Sequence, residues 1–175
     1  MIKNILVTGS NGQLGSEFKN LNSNYPKFNF FFKDLDLDIS NLEELENFIF
    51  SNRISAILNC AAYTNVDRAE NEKEEANKIN SSGVRNLVYL SEKYNCKLIH
   101  YSTDYVYDCP FSELIDENSF VKPLNHYGKS KRKGEVFIEQ SSSESIIIRT
   151  SWLYSYYGEN FVNKIIDKAN KEKKN

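Results

Sequence analysis

A tyrosine and a lysine stand four residues apart in Tyr127-Gly128-Lys129-Ser130-Lys131. Four residues is about one helical turn, so both side chains rise from one face of a helix. The Lys131 ammonium is expected to lower the pKa of the Tyr127 phenol, because a nearby positive charge favours the phenolate. A phenol tuned in this way can give or take the proton that accompanies hydride transfer to or from a carbonyl. Lys129 and Lys133 read as plain surface charges, since Lys131 is the lysine one turn beyond Tyr127. A hydroxyl in His100-Tyr101-Ser102-Thr103-Asp104, from Ser102 or Thr103, can hydrogen-bond the reacting oxygen as charge develops on it. Taken singly, the tyrosine–lysine pair is surface decoration and the hydroxyl a local cap.

The N-terminal turn Gly9-Ser10-Asn11-Gly12-Gln13-Leu14-Gly15 supplies the missing partner. Gly9 permits a tight turn after a strand, Gly12 lets backbone approach a pyrophosphate, and Gly15 allows close packing of helix on strand. The anion would sit on the helix N-terminus near the N–H groups of Gln13 and Leu14, with Asn11 in the same turn. Such a fingerprint expects an acid about 20 residues further on to hold the adenosine ribose. Lys33 stands at or beside that place and suits a 2′-phosphate, while Asp34 or Asp36 can still reach a ribose. NADPH is the cofactor expected, with NADH as the alternative. Turn and tyrosine–lysine pair together point to a nicotinamide-dependent oxidoreductase.

Alternating elements must position these residues. Short apolar runs at 4–8, 28–32, 54–59, 97–101 and 145–149 read as strands, the first ending in the glycine turn. Helical segments fall at 13 to about 20, at 42–50 and from about 72 to 94. In the last, Val84, Leu87, Val88 and Ser91 share a face with Leu90 beside it. Asn41 is a plausible N-cap, and Glu43 and Glu44 in the first turn suit the helix dipole. The pattern predicts an α/β Rossmann-type fold, a doubly wound parallel sheet with helices on both faces. Ligands of such sheets bind beyond the carboxyl ends of the strands, where Ser102 and Thr103 fall. The long connection from 108 to 126, with Pro110 and Pro123, leads straight into Tyr127.

The 175 residues suffice for one good core, and a net charge of -2 gives no reason to expect a nucleic-acid or membrane partner. Lys168, Lys171, Lys173 and Lys174 read as a solvated helix end. No run approaches the ~20 apolar residues of a membrane span, and the first strand begins without a signal-peptide pattern. Cys60, Cys96 and Cys109 fit no metal or redox spacing, so a cytoplasmic protein with reduced thiols and no metal site is expected.

In order along the chain, Thr8 to Gly15, Leu37-Asp38-Ile39, Asn59-Cys60-Ala61-Ala62-Tyr63-Thr64-Asn65-Val66-Asp67 and Tyr101-Ser102-Thr103-Asp104-Tyr105-Val106-Tyr107-Asp108 resemble the extended short-chain dehydrogenase/reductase superfamily. Pro123-Leu124-Asn125-His126-Tyr127-Gly128-Lys129-Ser130-Lys131, Arg149-Thr150-Ser151-Trp152-Leu153-Tyr154 and Asn160-Phe161 are similar to one branch, the dTDP-4-dehydrorhamnose reductases. That resemblance implies reduction of the 4-keto group of dTDP-4-dehydro-L-rhamnose with NADPH or NADH, giving dTDP-L-rhamnose for surface polysaccharides. It implies Thr103, Tyr127 and Lys131 as the catalytic triad: Thr103 on the sugar carbonyl, Tyr127 as proton donor, and Lys131 tuning Tyr127 and holding the nicotinamide ribose. Gly12, Gln13, Leu14, Asp38, Ile39, Ala62, Tyr63, Thr64 and Tyr101 match dinucleotide contacts, and Asp104 and Trp152 match positions near the sugar. For a single tryptophan, core packing is the ordinary alternative.

Dehydratases of the superfamily carry Asp-Glu after the threonine, whereas this chain has Asp104-Tyr105, which fits plain reduction. The glycine often found after Asp108 is missing. Members of the branch are longer, so the expected organisation is a Rossmann domain with the catalytic residues over 1–155 and the start of a truncated substrate-binding region over 156–175. Two rivals remain: a non-catalytic NADP-binding regulatory protein, because the regulatory subunit of methionine adenosyltransferase looks like the same family, and a reductase or epimerase of another sugar nucleotide. A homodimer is left open.

Overall fold

Ile5, Leu6 and Val7 are apolar in succession, which suits a strand covered on both faces. In the computed structural model, which describes residues 3–108 and 114–172, they lie in β1 (Lys3–Thr8), where Leu6 and Val7 are fully buried. Cys109, Pro110, Lys173 and Lys174 lie outside the described residues. The chain continues through α1 (Gln13–Leu21), β2 (Phe28–Phe32), α2 (Leu42–Ser51) and β3 (Ile54–Asn59). After these come α3 (Val66–Ala69), α4 (Lys73–Asn77), a π-turn (Lys78–Gly83), α5 (Val84–Tyr94) and β4 (Lys97–Thr103). The last elements are α6 (His126–Glu139), β5 (Ser145–Thr150) and α7 (Phe161–Glu172).

All four ladders are parallel, and the strand order is β2-β1-β3-β4-β5. Because β2 and β3 flank β1 on opposite sides, the winding reverses between β1 and β3, and the crevice at such a reversal is where open sheets take ligands. Leu6, Ile57 and Leu98 on one face pack with Leu45 and Ile49 of α2, Val84, Leu87 and Leu90 of α5, and Ile138 of α6. Ile5, Val7 and Leu58 on the other face meet Phe18 of α1. Each fully buried leucine or isoleucine contributes roughly 1.5–3 kcal/mol through lost apolar exposure. Asn41 caps α2 by accepting from the Glu44 N–H at 3.4 Å. Asn125 caps α6 more tightly, accepting from the Gly128 N–H at 2.7 Å.

The five strands fall where the apolar runs place them, with β4 running on to Thr103. The stretch expected as one helix from 72 to 94 is three pieces, because the chain widens into the π-turn. The widened turn sits against α6: a Cβ on Gly134 would lie 2.4 Å from the Asn80 carbonyl oxygen. It also frees the buried Asn80 side chain to face α6 and the segment after β3. The short α3, capped by Asn65 through the Arg68 N–H at 3.0 Å, has too few residues to show a period. Lys168 and Lys171 are exposed on α7. Cys60 and Cys96 are free thiols. No helix among the described residues is long and apolar enough to cross a membrane.

Candidate active site

The glycine turn is forced by space as well as by torsion. Gly9 has φ +61, and a Cβ there would lie 2.6 Å from the Ala61 Cα. A Cβ on Gly15 would lie 2.4 Å from the Gly9 carbonyl oxygen, so α1 starts hard against the end of β1. Gly12 is the extended N-cap of α1 and offers no side-chain cap to the first-turn N–H groups, including those of Gln13 and Leu14. Those donors have no intrahelical acceptor and sit at the positive end of the helix dipole, which suits a pyrophosphate. The turn therefore fits a dinucleotide, with Gly9, Asn11, Gly12, Gln13, Leu14 and Gly15 as its candidate contacts.

Asn11 is held from two sides: its N–H donates to Asp34 Oδ2 at 2.7 Å, and Lys19 Nζ donates to its Oδ1 at 2.6 Å. Lys33 follows β2 as expected, but its ammonium pairs with Asp36 at 2.5 Å and lies 5.4 Å from the centre of the Phe48 ring. Asp38 Oδ1 accepts from Ser40 N–H and Oγ, each at 2.8 Å, and Lys78 Nζ stands 3.2 Å from Oδ2. Partial burial opposes its charge, yet Ser40 and Lys78 outweigh that and hold the carboxyl below the usual range. Ile39 is buried in the main core against Gly83, so its side chain serves packing.

A buried polar chain that the sequence did not suggest crosses the strands beneath the turn. Thr8 Oγ1 donates to Asn59 Oδ1 at 2.8 Å, and Asn59 Nδ2 lies 2.9 Å from His100 Nδ1. With its oxygen already accepting, Asn59 presents its amide NH2, so His100 Nδ1 accepts and Nε2 carries the proton. Burial pushes His100 well below its ordinary pKa, and the Lys131 charge acts in the same direction, so the ring is neutral. The parallel register Thr8↔Asn59 and Asn59↔His100 creates this chain, which local sequence patterns do not display.

Thr103 ends β4, and Tyr127 lies in the first turn of α6. Thr103 Oγ1 donates to Asp104 Oδ1 at 3.1 Å and accepts from the Tyr105 N–H at 3.2 Å. Burial raises the Tyr127 phenol above its ordinary pKa; the neighbouring Thr103 acts the other way and is the smaller effect. This corrects the expected lowering by Lys131. Tyr127 and Lys131 are both buried on α6, yet Lys131 Nζ donates to the Tyr101 carbonyl at 2.6 Å. Burial also lowers Lys131 to about 8, against the pull of Glu135 and Cys60. Of the two candidate hydroxyls, Thr103 is the one beside Tyr127; the buried Ser102 Oγ has no hydrogen-bond partner among the described residues.

Tyr63 packs with Ala69, Ala76 and Tyr127, and its hydroxyl donates to Glu72 Oε2 at 2.6 Å. Ala62 beside it is half-buried and Thr64 exposed. Tyr101 reaches Phe18 of α1 with ring centroids 6.3 Å apart. Asp104 Oδ2 accepts from Ser151 Oγ at 2.7 Å, joining the ends of β4 and β5. Trp152, next in the chain, is 74% exposed with φ +52 and meets Phe161 edge-on at 5.1 Å, so it is not a core residue. Asn160 Nδ2 returns to α1, donating to Gln13 Oε1 at 3.1 Å. Thr103, Tyr127, Lys131, Tyr101, Tyr63 and Asp104 thus gather at the carboxyl end of β4, while Lys33, Asp38 and Ile39 lie on the β2 side of the turn.

Known proteins resemble this chain in sequence and in fold. The chain is 39% identical over 163 residues to a dTDP-4-dehydrorhamnose reductase of Aggregatibacter actinomycetemcomitans, covering 93% of this chain and 55% of that protein. It is 32% identical over 162 residues to a dTDP-4-keto-6-deoxy-D-glucose reductase of Streptomyces niveus, covering 92% of this chain and 56% of the relative. The crystal structure of a Bacillus anthracis dTDP-4-dehydrorhamnose reductase in complex with NADP superposes with a TM-score of 0.92 at 38% identity, covering 98% of this chain and 61% of that one. The chain therefore spans little more than half the length of the curated relatives it matches. The family model described as the RmlD substrate binding domain matches residues 3–175, and the protein belongs to that family.

Proposed function

We propose that this chain carries the cofactor-binding and catalytic residues of an NAD(P)H-dependent reductase. Its reaction is reduction of the 4-keto group of dTDP-4-dehydro-L-rhamnose to dTDP-L-rhamnose, in the cytoplasm, for surface polysaccharide. The observation that carries this is that Thr103 ends β4 and Tyr127 lies in the first turn of α6, with buried Lys131 one helical turn on and tied to the Tyr101 carbonyl of β4 at 2.6 Å. The relatives named for this activity support the choice of substrate.

A dinucleotide held at the glycine turn would supply the hydride for the carbonyl carbon. First-turn N–H groups of α1 would take the pyrophosphate, and Ala62, Tyr63, Thr64, Tyr101 and Asp38, with the backbone of Ile39, would line the rest of the dinucleotide. The Thr103 hydroxyl donates to the sugar carbonyl oxygen and polarises it. Tyr127 then gives its phenolic proton to that oxygen as negative charge arrives there. A phenol raised by burial is fully protonated at neutral pH, which suits a group that must donate. Lys131 holds the nicotinamide ribose and offsets the phenolate that remains, and Asp104 and Trp152 flank the sugar. Lys33 reaches a 2′-phosphate by exchanging Asp36 for it.

Tyr127→Phe tests the assignment in NADPH oxidation with dTDP-4-dehydro-L-rhamnose. Turnover is expected to fall by about 10²–10⁴-fold, with NADPH affinity nearly intact. Undiminished turnover would remove Tyr127 from the chemistry.

A further inference from the structure

Trp152 stands in a conformation that its surroundings must enforce. Its φ of +52 lies in the left-handed region that residues other than glycine rarely adopt, and such strain persists only where neighbours hold it. The indole is exposed, so burial does little of that holding. Ser151 before it is fixed to Asp104 at the end of β4, and the ring itself meets Phe161 edge-on at 5.1 Å.

Phe161 opens α7, and the residue before it sets where that helix begins. Asn160 is buried, although every neighbour from 156 to 162 is exposed. Its Oδ1 accepts from the Asn163 N–H at 2.9 Å and so caps α7. Its Nδ2 donates to the Ser155 carbonyl at 2.9 Å and to Gln13 Oε1 at 3.1 Å. A backbone N–H on one side and a carbonyl on the other fix which way this amide points, so Gln13 must present its oxygen. Gly158, at φ +71, comes down on the same residue: a Cβ there would lie 3.4 Å from the Gln13 Cβ. Gln13 is the first residue of α1, in the turn that fits a pyrophosphate. The segment 151–160 is therefore pinned at Asp104 after β4 and at Gln13 after β1, with β3 between those strands.

We propose that Asn160 is a positioning residue: its amide NH2 sets the Trp152–Phe161 pair in register with the glycine turn, and so the sugar side with the cofactor side. This rests on the reading of the glycine turn as the dinucleotide site and of Trp152 as a flank of the sugar. The two functions of the amide are separable. Asn160→Asp keeps the oxygen that caps α7, where aspartate serves as well as asparagine, and loses the NH2 that holds Gln13 and Ser155.

Trp152 is the single tryptophan of the chain, so labelling with 5-fluorotryptophan gives one 19F NMR signal. Phe161→Leu, which removes the edge-on ring, marks where that signal falls when the pair is lost. Asn160→Asp and Gln13→Ala are each expected to move the wild-type signal towards that mark, with helix content by circular dichroism unchanged. The double variant Gln13→Ala/Asn160→Asp is expected to move it no further than Asn160→Asp alone, as for two partners in one interaction. A signal at the wild-type position in folded Asn160→Asp would mean that Asn160 only caps α7, and overturns the proposal. An unmoved signal in Phe161→Leu overturns it as well, because the two rings would then not meet. Should Asn160→Asp fail to fold, Gln13→Ala, which leaves the cap untouched, is read by the same criterion. Neither dinucleotide nor sugar is added, so failure here is separate from failure of the Tyr127→Phe experiment.

Discussion

The Asn80 side chain clasps the backbone of Tyr63 from both sides: Oδ1 accepts from the Tyr63 N–H at 2.9 Å and Nδ2 donates to the Tyr63 carbonyl at 3.0 Å. Nδ2 also donates to Ser130 Oγ at 2.9 Å, and that hydroxyl donates to the Tyr127 carbonyl at 2.7 Å. One buried amide thus links the loop after β3 to the helix that bears Tyr127. Asn80→Ala strands several of these polar groups, and each unsatisfied buried group costs about 1–3 kcal/mol. Urea unfolding of Asn80→Ala is expected to show a loss of roughly 2–4 kcal/mol. A change under about 0.5 kcal/mol, the range typical of surface substitutions, would mean that water replaces the clasp without penalty.

Gly15 tests the turn at a point where torsion is not the issue. Its place in α1 is ordinary helix, so alanine should help by propensity, by about 1 kcal/mol. The contact decides otherwise, because a Cβ would lie 2.4 Å from the Gly9 carbonyl oxygen and 2.5 Å from the Ser10 Cα, both backbone atoms that cannot swing away. Gly15→Ala is therefore expected to push α1 off β1 and to weaken NADPH binding at least tenfold by fluorescence titration. Wild-type affinity in that variant would show that the turn yields, and that close packing there is not what shapes the anion site.

How far the site was legible in the sequence follows from the range of the interactions involved. The strands and the glycine turn are local patterns, and Asn41 with Glu44 is a contact within four residues, so each could be read directly. The tyrosine–lysine spacing put both side chains on one face of a helix, and in α6 both are buried. It could not reveal that Lys131 would be taken by a carbonyl on β4, or that burial would dominate the phenol. The π-turn is set by α6 packing onto Asn80, a contact across 50 residues to Ser130 that helical periodicity does not encode. Likewise Lys33 suited a phosphate by position, while its ion pair with Asp36 depends on how the loop after β2 curls.

Lys131 also gives the fold a measurable pH signature. Its folded value of about 8 lies below its ordinary 10.5, so above about pH 8 the unfolded chain binds more protons and stability rises with pH. Cys60 works in the opposite sense: raised from 9.0 to about 12, its neutral thiol contributes stability that is lost as pH climbs above about 9. Tyr101, raised from 10.0 to about 12, adds to that loss only above about pH 10. The gain from Lys131 is thus unopposed between about pH 8 and about pH 9, where it amounts to roughly 1 kcal/mol. Urea unfolding across that interval should show wild-type stability rising and Lys131→Met flat, while Cys60→Ala should carry the rise to higher pH. A wild-type curve as flat as that of Lys131→Met would mean that the ammonium reaches water in the folded state, and the buried-lysine account of the site would fall with it.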